Sequence, residues 1–559
     1  MTSIAILVLF ASATLLVRQR SRLRFDETAL YGGLLAFFEI VVAIQLLGLA
    51  SALRPGTAWI ATGLATAINL GAAFFRRPWR PLRRPWPMPR LLWPAVIIVG
   101  LTAGIRLLLA AFLPPEGWDS LGYHLPIVVR WMGQGHFDLA GFIGSQRYFA
   151  WNGELTGTWL ALLSGGLAYA KVLQVLALPL LAAAGSIIGR RLASLRWSYA
   201  TAIAFAGLPI VLIQSGLAYV DVLQSAFWLA AVAAALSLAR SGRIVHLRAF
   251  ALAFGLCLGT KSTLYFLAPL VLLLVAAIFF LKPRWIPRPG AELGLGLAII
   301  VLSGAGAYVR NALLTGNPIF PFGLSLGGLK IFKGLLTTAD MPAYIEHWFV
   351  PSRWGWILYP FWEHVRSVIG YTHLNGFGPL FALSWLVFPV SIAAAWKRRD
   401  AAVLATLALF PLVILAFFVL QPVQLPRYII FAAPLPIVGL AAAFRRPSPR
   451  LFRAALLAWS VAIALGCGGV FAYLFRSAGV REASASLASF RKPDPWAYYA
   501  KQYPAVGAAW GALNARLEAG DRVVVNYNEL MLPWSGLPPR AEVSLVVFGR
   551  CIYPQVPSG

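Results

Sequence analysis

Acidic residues and cysteines are both scarce in this chain. Only 19 of its 559 residues are Asp or Glu, and only three are Cys. Three cysteines are too few for a disulfide framework, and no Cys/His spacing typical of a metal site occurs. A carboxylate beside lipid is costly unless something compensates it, so the few acids that gather at the end of an apolar run indicate a function.

Apolar residues dominate the composition. They make up 60% of the chain against 12% charged residues, the mean hydropathy is +0.75, and apolar runs long enough to cross a bilayer recur. This predicts a polytopic membrane protein. The net charge of 47 − 19 = +28 lies in short basic clusters between the apolar runs. That distribution favours positive-inside topology over a nucleic-acid partner.

The basic clusters define one predicted side of the membrane. Every second connection is basic, as alternating spans require. The positive charges next to the first apolar run follow it in the chain. This order favours an N-terminus outside the cytoplasm and argues against a cleaved signal peptide. Counting the runs gives about 14 transmembrane helices, with the C-terminus also outside. The clusters taken as cytoplasmic lie at 18–24, 76–90, 190–196, 240–248, 282–288, 397–399 and 445–453.

The predicted fold class is an all-α polytopic membrane protein with interfacial amphipathic helices and a small C-terminal α/β cap. Three helices and a basic loop occupy residues 1–90. A transmembrane core follows at 91–475, with large outer loops at 114–157 and 310–371. The second loop includes an aromatic amphipathic stretch at 344–368, suited to the headgroup layer. The cap, 476–559, contains a helix-like run at 503–518 and a strand-like run at 522–526.

Asp119 is the first candidate for chemistry, because it follows a long apolar run and precedes a polar loop. It could be a general base at the outer face of the membrane, or simply the N-cap of a helix. Glu116 is close enough to share the site, or to pair with Arg147 or Arg130. His124 would face away from Asp119 if the intervening segment were an α-helix, which weakens an Asp/His pair.

Two more acids follow in the same half of the chain. Glu154, near Tyr148 and Asn152 at the exit of the first outer loop, would also be favoured at the head of a helix by the helix dipole. Asp221 is predicted on an outer hairpin, on the same side as Asp119. Two isolated acids on one side of a bundle are harder to explain by folding alone than either acid by itself.

Several cations interrupt the positive-inside pattern on that outer side. Lys261 lies between apolar runs without basic neighbours. It favours an anion such as a phosphate, although contact of a snorkelling side chain with headgroups is the simpler alternative. Arg310 and Arg427, the latter followed by Tyr428, are likewise predicted outside. Arginine suits a forked contact with phosphate.

Taken in order, these segments resemble the GT-C glycosyltransferases, in particular the bacterial branch similar to protein O-mannosyltransferases and lipid A aminoarabinose transferases. The resemblance covers roughly residues 91–445, and the three N-terminal helices look like an addition. Two departures stand out. Ser120 follows Asp119 where many relatives have a second acid, and 151–153 replaces the Lys-Pro-Pro type of loop exit. The segments that carry the resemblance are 118–126, 148–154, Asp221, 255–261, 310–321 and 427–434.

The resemblance implies inverting transfer of a sugar from a polyprenyl-phosphate carrier to an acceptor, at the outer face of a bacterial inner membrane. Asp119 would be the base, and Lys261, Arg310, Arg427 and Tyr428 would hold the phosphate. No cofactor is implied. A divalent metal is optional, with only an Asp119/Asp221 pair to hold it. The expected partners are the lipid-linked donor and membrane lipids, with no nucleic acid. Candidates for the acceptor or sugar site are Glu116, Tyr123, His124, Arg147, Tyr148, Asn152, Glu154 and Asp221.

Two other functions are compatible with the same residues. A transporter or flippase of lipid-linked sugars would use the cations and aromatics without a base, but no convincing internal hydropathy repeat occurs. A non-catalytic subunit that keeps the fold is favoured by the missing second acid. The sequence does not identify the donor sugar or the acceptor, because pocket shape decides both.

Overall fold

The structure is a computed structural model of the whole chain. The structure describes most of the residues between 1 and 545. Predictions for 344–368 and 503–518 lie outside these residues. The described residues are 1–75, 87–138, 145–262, 288–326, 329–334, 371–420, 425–445, 447–476, Tyr498, Lys501, 521–525 and 541–545.

The described part is a bundle of helices whose ends follow the sequence signals for starting and stopping a helix. Proline occupies the first turn of several helices, where its missing N–H costs nothing. Gly242 ends the tenth helix with φ +65°, a left-handed conformation that glycine adopts without strain. The first eleven helices are α1 (Thr2–Arg20), α2 (Phe25–Leu49), α3 (Pro55–Phe74), α4 (Trp93–Phe112), α5 (Leu125–Gln134), α6 (Asn152–Ser164), α7 (Ala177–Leu192), α8 (Ser198–Ala206), α9 (Pro209–Gln214), α10 (Asp221–Ser241) and α11 (Ile244–Thr260).

The second half of the bundle continues with six helices and two small strand pairs. The first pair is antiparallel, and the second, from the C-terminal cap, is parallel. The strand predicted at 522–526 is confirmed within one residue at its start. The elements are α12 (Pro289–Gly304), α13 (Gly306–Thr315), β1 (Leu324–Leu326), β2 (Leu329–Phe332), α14 (Gly378–Lys397), α15 (Ala401–Leu420), α16 (Pro434–Ala443), α17 (Pro449–Arg476), β3 (Asp521–Val525) and β4 (Ala541–Leu545).

Helix length and composition confirm a multi-pass membrane protein. Within the described ranges, eight helices are long and apolar enough to cross a bilayer. The number is nine if α12 and α13, which meet at 70°, form one bent span. Three shorter apolar helices accompany them. The count of about 14 stays a prediction.

Helix α10 lies at the centre of the bundle and reaches from one end of the bundle to the other. In its apolar window, 94% of the residues are buried. Asp221 is its first residue, and Arg240 lies in its last turn. At 1.5 Å per residue these two residues are about 30 Å apart, the thickness of a bilayer core. The acid predicted on one side and the basic cluster predicted on the other therefore lie at opposite ends of one helix.

Arginines of three basic clusters, 190–196, 240–248 and 445–453, pair with acids in the described part of the structure. Arg190 and Arg191, at the end of α7, pair with Glu27 at 3.1 and 2.8 Å. Asp400 pairs with Arg240 at 3.3 Å and with Arg445 at 3.1 Å. Five parts of the chain, around Glu27, Arg190, Arg240, Asp400 and Arg445, are thus joined in two groups of ion pairs.

Candidate active site

Asp119 and Arg427 form an ion pair at the end of the bundle that holds Asp221. Nη2 of Arg427 lies 2.8 Å from Oδ2 of Asp119, with 6% and 18% of the respective side chains exposed. Asp119 directly precedes a π-helix, Ser120–His124. Arg427 belongs to a 3-10 turn, Pro426–Ile429, and its backbone N–H donates to the carbonyl of Leu374 at 3.1 Å. Two loops from distant parts of the chain build the pair.

The π-helix brings His124 to the same side as Asp119. The N–H of Leu125 donates to the carbonyl of Ser120, and this i→i+5 pattern places residues five apart near one face, whereas an α-helix would separate them. His124 lies within electrostatic range of Asp119. The expectation that the two side chains face away from each other applied to an α-helix, and the segment is a π-helix instead.

The hydrogen-bond partner of His124 is Glu154. Oε1 of Glu154 lies 2.7 Å from Nδ1 of His124, and both side chains are buried. Glu154 is in the first turn of α6, where the helix dipole also favours it. Tyr123 packs against the imidazole, with ring centroids 4.1 Å apart, and its phenol is within electrostatic range of Asp119 and Glu154.

A second ion pair lies beside the first. Lys261, the residue after α11, contacts Oδ1 of Asp221 through its ammonium group. The same ammonium group lies 4.2 Å from the centre of the Tyr428 ring, and the guanidinium of Arg427 lies 5.0 Å from that ring. Two cations therefore flank one aromatic ring, an arrangement that favours both. The four charged groups form one cluster of two acids and two cations.

Arg427 sets the charge state of Asp119. Burial by itself would raise the pKa of the Asp119 carboxyl. The nearby positive charge of Arg427, assisted by His124 and Lys261, instead holds that pKa below its ordinary value. Asp119 is therefore ionised at neutral pH in this arrangement. Because a lowered pKa also weakens a base, Asp119 is a poor proton acceptor as long as Arg427 holds it.

The guanidinium of Arg427 is only partly used in hydrogen bonding among the described residues. Among the described residues, its Nε and Nη1 are buried and have no hydrogen-bond partner. Only Nη2 is used, for Asp119 and, at 3.3 Å, for the hydroxyl of Tyr428. Buried donors are satisfied in nearly all folded proteins, so these two unused nitrogens indicate that an acceptor group is missing. Charged N–H donors of this kind match a phosphate or carboxylate.

Glu116 belongs to a neighbouring cavity. It lies near Arg106 and Lys171, and burial raises the pKa of its carboxyl despite both cations. These three side chains line the cavity together with Gly216. The hydroxyl of Tyr498, from the C-terminal segment, contacts Oε1 of Glu116. Glu116 thus has Arg106 and Lys171 beside it, where the sequence suggested Arg147 or Arg130.

Four other candidates make contacts that shape the walls of the site. Arg147 donates to the hydroxyl of its neighbour Tyr148 at 2.6 Å. Arg310 donates to Oδ1 of Asn311 at 2.9 Å. Its guanidinium also lies 4.5 Å from the ring of Trp151. Tyr148 packs against the ring of Phe320 at 4.5 Å.

Asn152, the fourth, joins three helices. Its Nδ2 donates to the carbonyl of Ser303 in α12 at 2.7 Å, and to that of Leu256 in α11 at 3.2 Å. Asn152 begins α6, so it anchors the helix that carries Glu154. Neither of these two hydrogen bonds of Asn152 involves Asp119 or Arg427.

Two residues of the site escaped the sequence analysis. The hydroxyl of Tyr219 accepts the backbone N–H of Asp119 at 3.4 Å, and its ring lies 5.0 Å from the guanidinium of Arg427. The ring of His373 lies 5.8 Å from Tyr219. Burial, reinforced by Arg427, lowers the pKa of His373 to about 4. Tyr219 could have been found as a neighbour of Asp221, whereas nothing in the sequence marks His373.

The acids and histidines do not gather as metal ligands in the described residues, where no group of three or more His, Cys, Asp or Glu could hold an ion. Asp119 and Asp221, the pair expected for an optional metal, each face a cation of their own.

Comparison with known proteins gives a fold likeness only. No family model and no curated protein matches the chain. Nine chains among the solved structures match. One is described as the crystal structure of ArnT from Cupriavidus metallidurans bound to undecaprenyl phosphate. It shares 14% sequence identity, over 81% of this chain and 86% of that chain, with a TM-score of 0.49. The chemistry of the site therefore has to be argued from its own residues.

Proposed function

We propose that this chain transfers a sugar from a polyprenyl-phosphate carrier to an acceptor, at the membrane face opposite its arginine-rich end. The observation that carries the proposal is Arg427, a buried guanidinium that is paired with one carboxylate and has two donor nitrogens unused among the described residues. An anionic group supplied from the membrane would satisfy them. The carboxylate beside it would serve the acceptor.

The proposed step is a single displacement with inversion. The acceptor oxygen or nitrogen forms a bond to the anomeric carbon, and the bond from that carbon to the phosphate oxygen breaks with its electron pair on the phosphate. The acceptor's proton goes to Asp119. Arg427 would stabilise the charge that develops on the leaving phosphate, supported by Lys261 across the ring of Tyr428. Preorganised donors of this kind are worth about 3 to 4 kcal/mol each.

The aromatic side chains support the same use of the site. Tyr123, Tyr219 and Tyr428 surround the charged groups. Buried tyrosines offer apolar faces with hydroxyl groups at their tips, a combination that suits a sugar ring carrying both C–H faces and hydroxyls. The glycosidic oxygen, the phosphate and the acceptor would then meet between the two ion pairs.

The test uses the purified protein in lipid vesicles with a polyprenyl-phosphate-linked sugar and a cell-envelope extract as the source of acceptor. Asp119→Asn should abolish sugar transfer while leaving binding of the lipid intact. Arg427→Gln should lower transfer about 100-fold or more, the usual loss for a donor to developing charge. Arg248→Gln, at the opposite end of the bundle where Arg248 pairs with Glu292 at 2.6 Å, is the matched control and should leave transfer unchanged.

Two outcomes would replace the proposal. Movement of the lipid-linked sugar across the vesicle membrane without transfer, unchanged in Asp119→Asn, would establish a transporter. Neither transfer nor movement by the wild-type protein, in membranes of its own host as well as in vesicles, would establish a non-catalytic subunit.

A further inference from the structure

In the proposed reaction, the base and the phosphate-binding cation belong to one ion pair. Arg427 reaches Asp119 through Nη2 alone, and its Nε and Nη1, which lie on different edges of the guanidinium, have no partner among the described residues. A phosphate that accepts a hydrogen bond from either of these nitrogens would share the same planar guanidinium with the carboxylate. Any charge brought to one of them must therefore be felt by Asp119 at Nη2.

We propose that binding of the donor phosphate to an unused donor nitrogen of Arg427 switches Asp119 from a counter-ion of Arg427 to an active base. The inference rests on the proposed function and adds how that site is regulated. Without the donor, the guanidinium neutralises Asp119, and the carboxylate has little tendency to take a proton. With the donor bound, the guanidinium is shared between two anions, and Asp119 gains proton affinity.

The other charged groups around Asp119 do not remove this effect. Lys261 is engaged by Asp221, and His124 by Glu154. His373 is neutral at pH 7, because burial and the nearby Arg427 lower its pKa to about 4. Arg427 is thus the one cation in direct contact with Asp119 among the described residues. The groups near Asp119 are Arg427, Lys261, His124, His373, Asp221, Tyr123, Tyr219 and Tyr428.

The proton affinity of Asp119 rises on phosphate binding even if its ion pair with Arg427 stays intact. A phosphate that only adds its charge beside the carboxylate disfavours the ionised carboxyl, as like charges do. The effect also grows during the reaction. A sugar phosphodiester carries a charge of about −1, and the monoester it leaves behind carries up to about −2 at neutral pH. The proton affinity of Asp119 is therefore highest as the acceptor releases its proton. In the enzyme without bound donor, the proton affinity of Asp119 stays low.

The experiment measures the protonation of Asp119 directly, without any sugar transfer. Purified protein is treated with a membrane-permeant carbodiimide, which modifies protonated carboxyls, over a range of pH. Labelling of the Asp119 peptide is quantified by mass spectrometry. The probe is farnesyl phosphate, and farnesol is the control for the lipid tail. The quantity compared with and without the lipid is the midpoint pH of labelling. The labelling yield is not compared, because shielding of the site by the lipid changes it as well. Asp400, an acid paired with two arginines at the opposite end, is the internal control.

We expect farnesyl phosphate, but not farnesol, to raise the midpoint of Asp119 by about one pH unit or more, within the range seen for a charge in close contact. The midpoint of Asp400 should stay fixed. In Arg427→Gln the midpoint should be high from the start and insensitive to the lipid. If that variant does not fold, Arg427→Lys provides the same comparison with the charge kept, and its midpoint should respond less than that of the wild type.

The possible failures are distinguishable. If farnesyl phosphate binds, as measured by its retention on the protein, and the midpoint of Asp119 does not move, the switch is wrong and the proposed transferase stands. If farnesyl phosphate does not bind at all while a lipid-linked sugar is still transferred, Arg427 is not the phosphate site and the switch is wrong. If there is neither binding nor transfer, both proposals are overturned.

Discussion

Glu154 holds the imidazole of His124 at 2.7 Å, and this buried contact ties the start of α6 to the π-helix that follows Asp119. The other carboxylate oxygen, Oε2, has no hydrogen-bond partner among the described residues. The pair therefore fixes the Nδ1 side of the imidazole beside the Asp119 cluster.

Removing either member of this pair should destabilise the protein, because the remaining one is left buried without its partner. We expect a double-mutant cycle with Glu154→Gln and His124→Gln to give a coupling of about 1 to 3 kcal/mol in the free energy of unfolding. The same cycle on the pair of Arg248 and Glu292, in which the arginine side chain is 49% exposed, should give a coupling of less than about 1 kcal/mol. Equal couplings for the two pairs would contradict the structural role of the Glu154 contact.

The ion pair of Asp119 and Arg427 should contribute stability at neutral pH and lose it only in acid. The pKa of Asp119 is lowered in the folded protein, so its contribution is present above the ordinary carboxyl value of about 3.9 and is lost as the pH falls through the lower folded value. The thermal stability of wild type minus that of Asp119→Asn should be constant between pH 5 and 8, and should shrink below about pH 4. A difference that changes near pH 6 would mean that Asp119 is not paired as described.

Asn152 should be needed for stability more than for chemistry, since its amide bridges α6 to α11 and α12. Asn152→Ala removes both hydrogen bonds at a buried position, and we expect it to cost about 2 to 3 kcal/mol with little change in the donor KM. Gly259→Ala should act in the same direction, because a Cβ there would meet the Asn152 amide at 2.3 Å. Gly63→Ala, where nothing lies within 4 Å, is the control. A strong loss of binding without loss of stability would assign Asn152 to the ligand.

The orientation in the membrane can be tested with single cysteines at the two ends of the bundle. Trp118, next to Asp119, is 52% exposed, and Lys397, at the end of α14, is exposed as well. In a background with Cys551→Ser, a membrane-impermeant maleimide added to intact cells should label Trp118→Cys and should reach Lys397→Cys only after lysis. Cys257 and Cys467 are buried and should not be labelled. The reverse pattern would place Asp119 on the cytoplasmic side.

Much of the site could be predicted because its members break local rules. Asp119, Asp221 and Lys261 are charged residues close to apolar runs. Asp221 begins α10, Lys261 directly follows α11, and Asp119 lies in the loop after α4. The side on which they meet followed from the positions of the basic clusters. Asp221 and Arg240 do lie at opposite ends of α10, as alternating charge predicts.

The pairing of these groups could not be predicted in the same way. His124 was expected to face away from Asp119, because an α-helical period was assumed where the chain forms a π-helix. Nothing local to Arg427 indicates that it meets Asp119, and Tyr219 and His373 carry no sequence signal for their contact with the site. Asn152 and Arg310 matched a motif, but in the structure they hold helices and loops together.

The sequence by itself determined the all-helical membrane class and the separation of charge along the bundle, because these depend on the length of apolar runs and on the cost of charge in a bilayer, both local properties of the chain. Only the tertiary structure decided which acid meets which cation. Contacts within hydrogen-bonding distance depend on how helices from distant segments pack, and a shift of one residue in a loop would turn a side chain away.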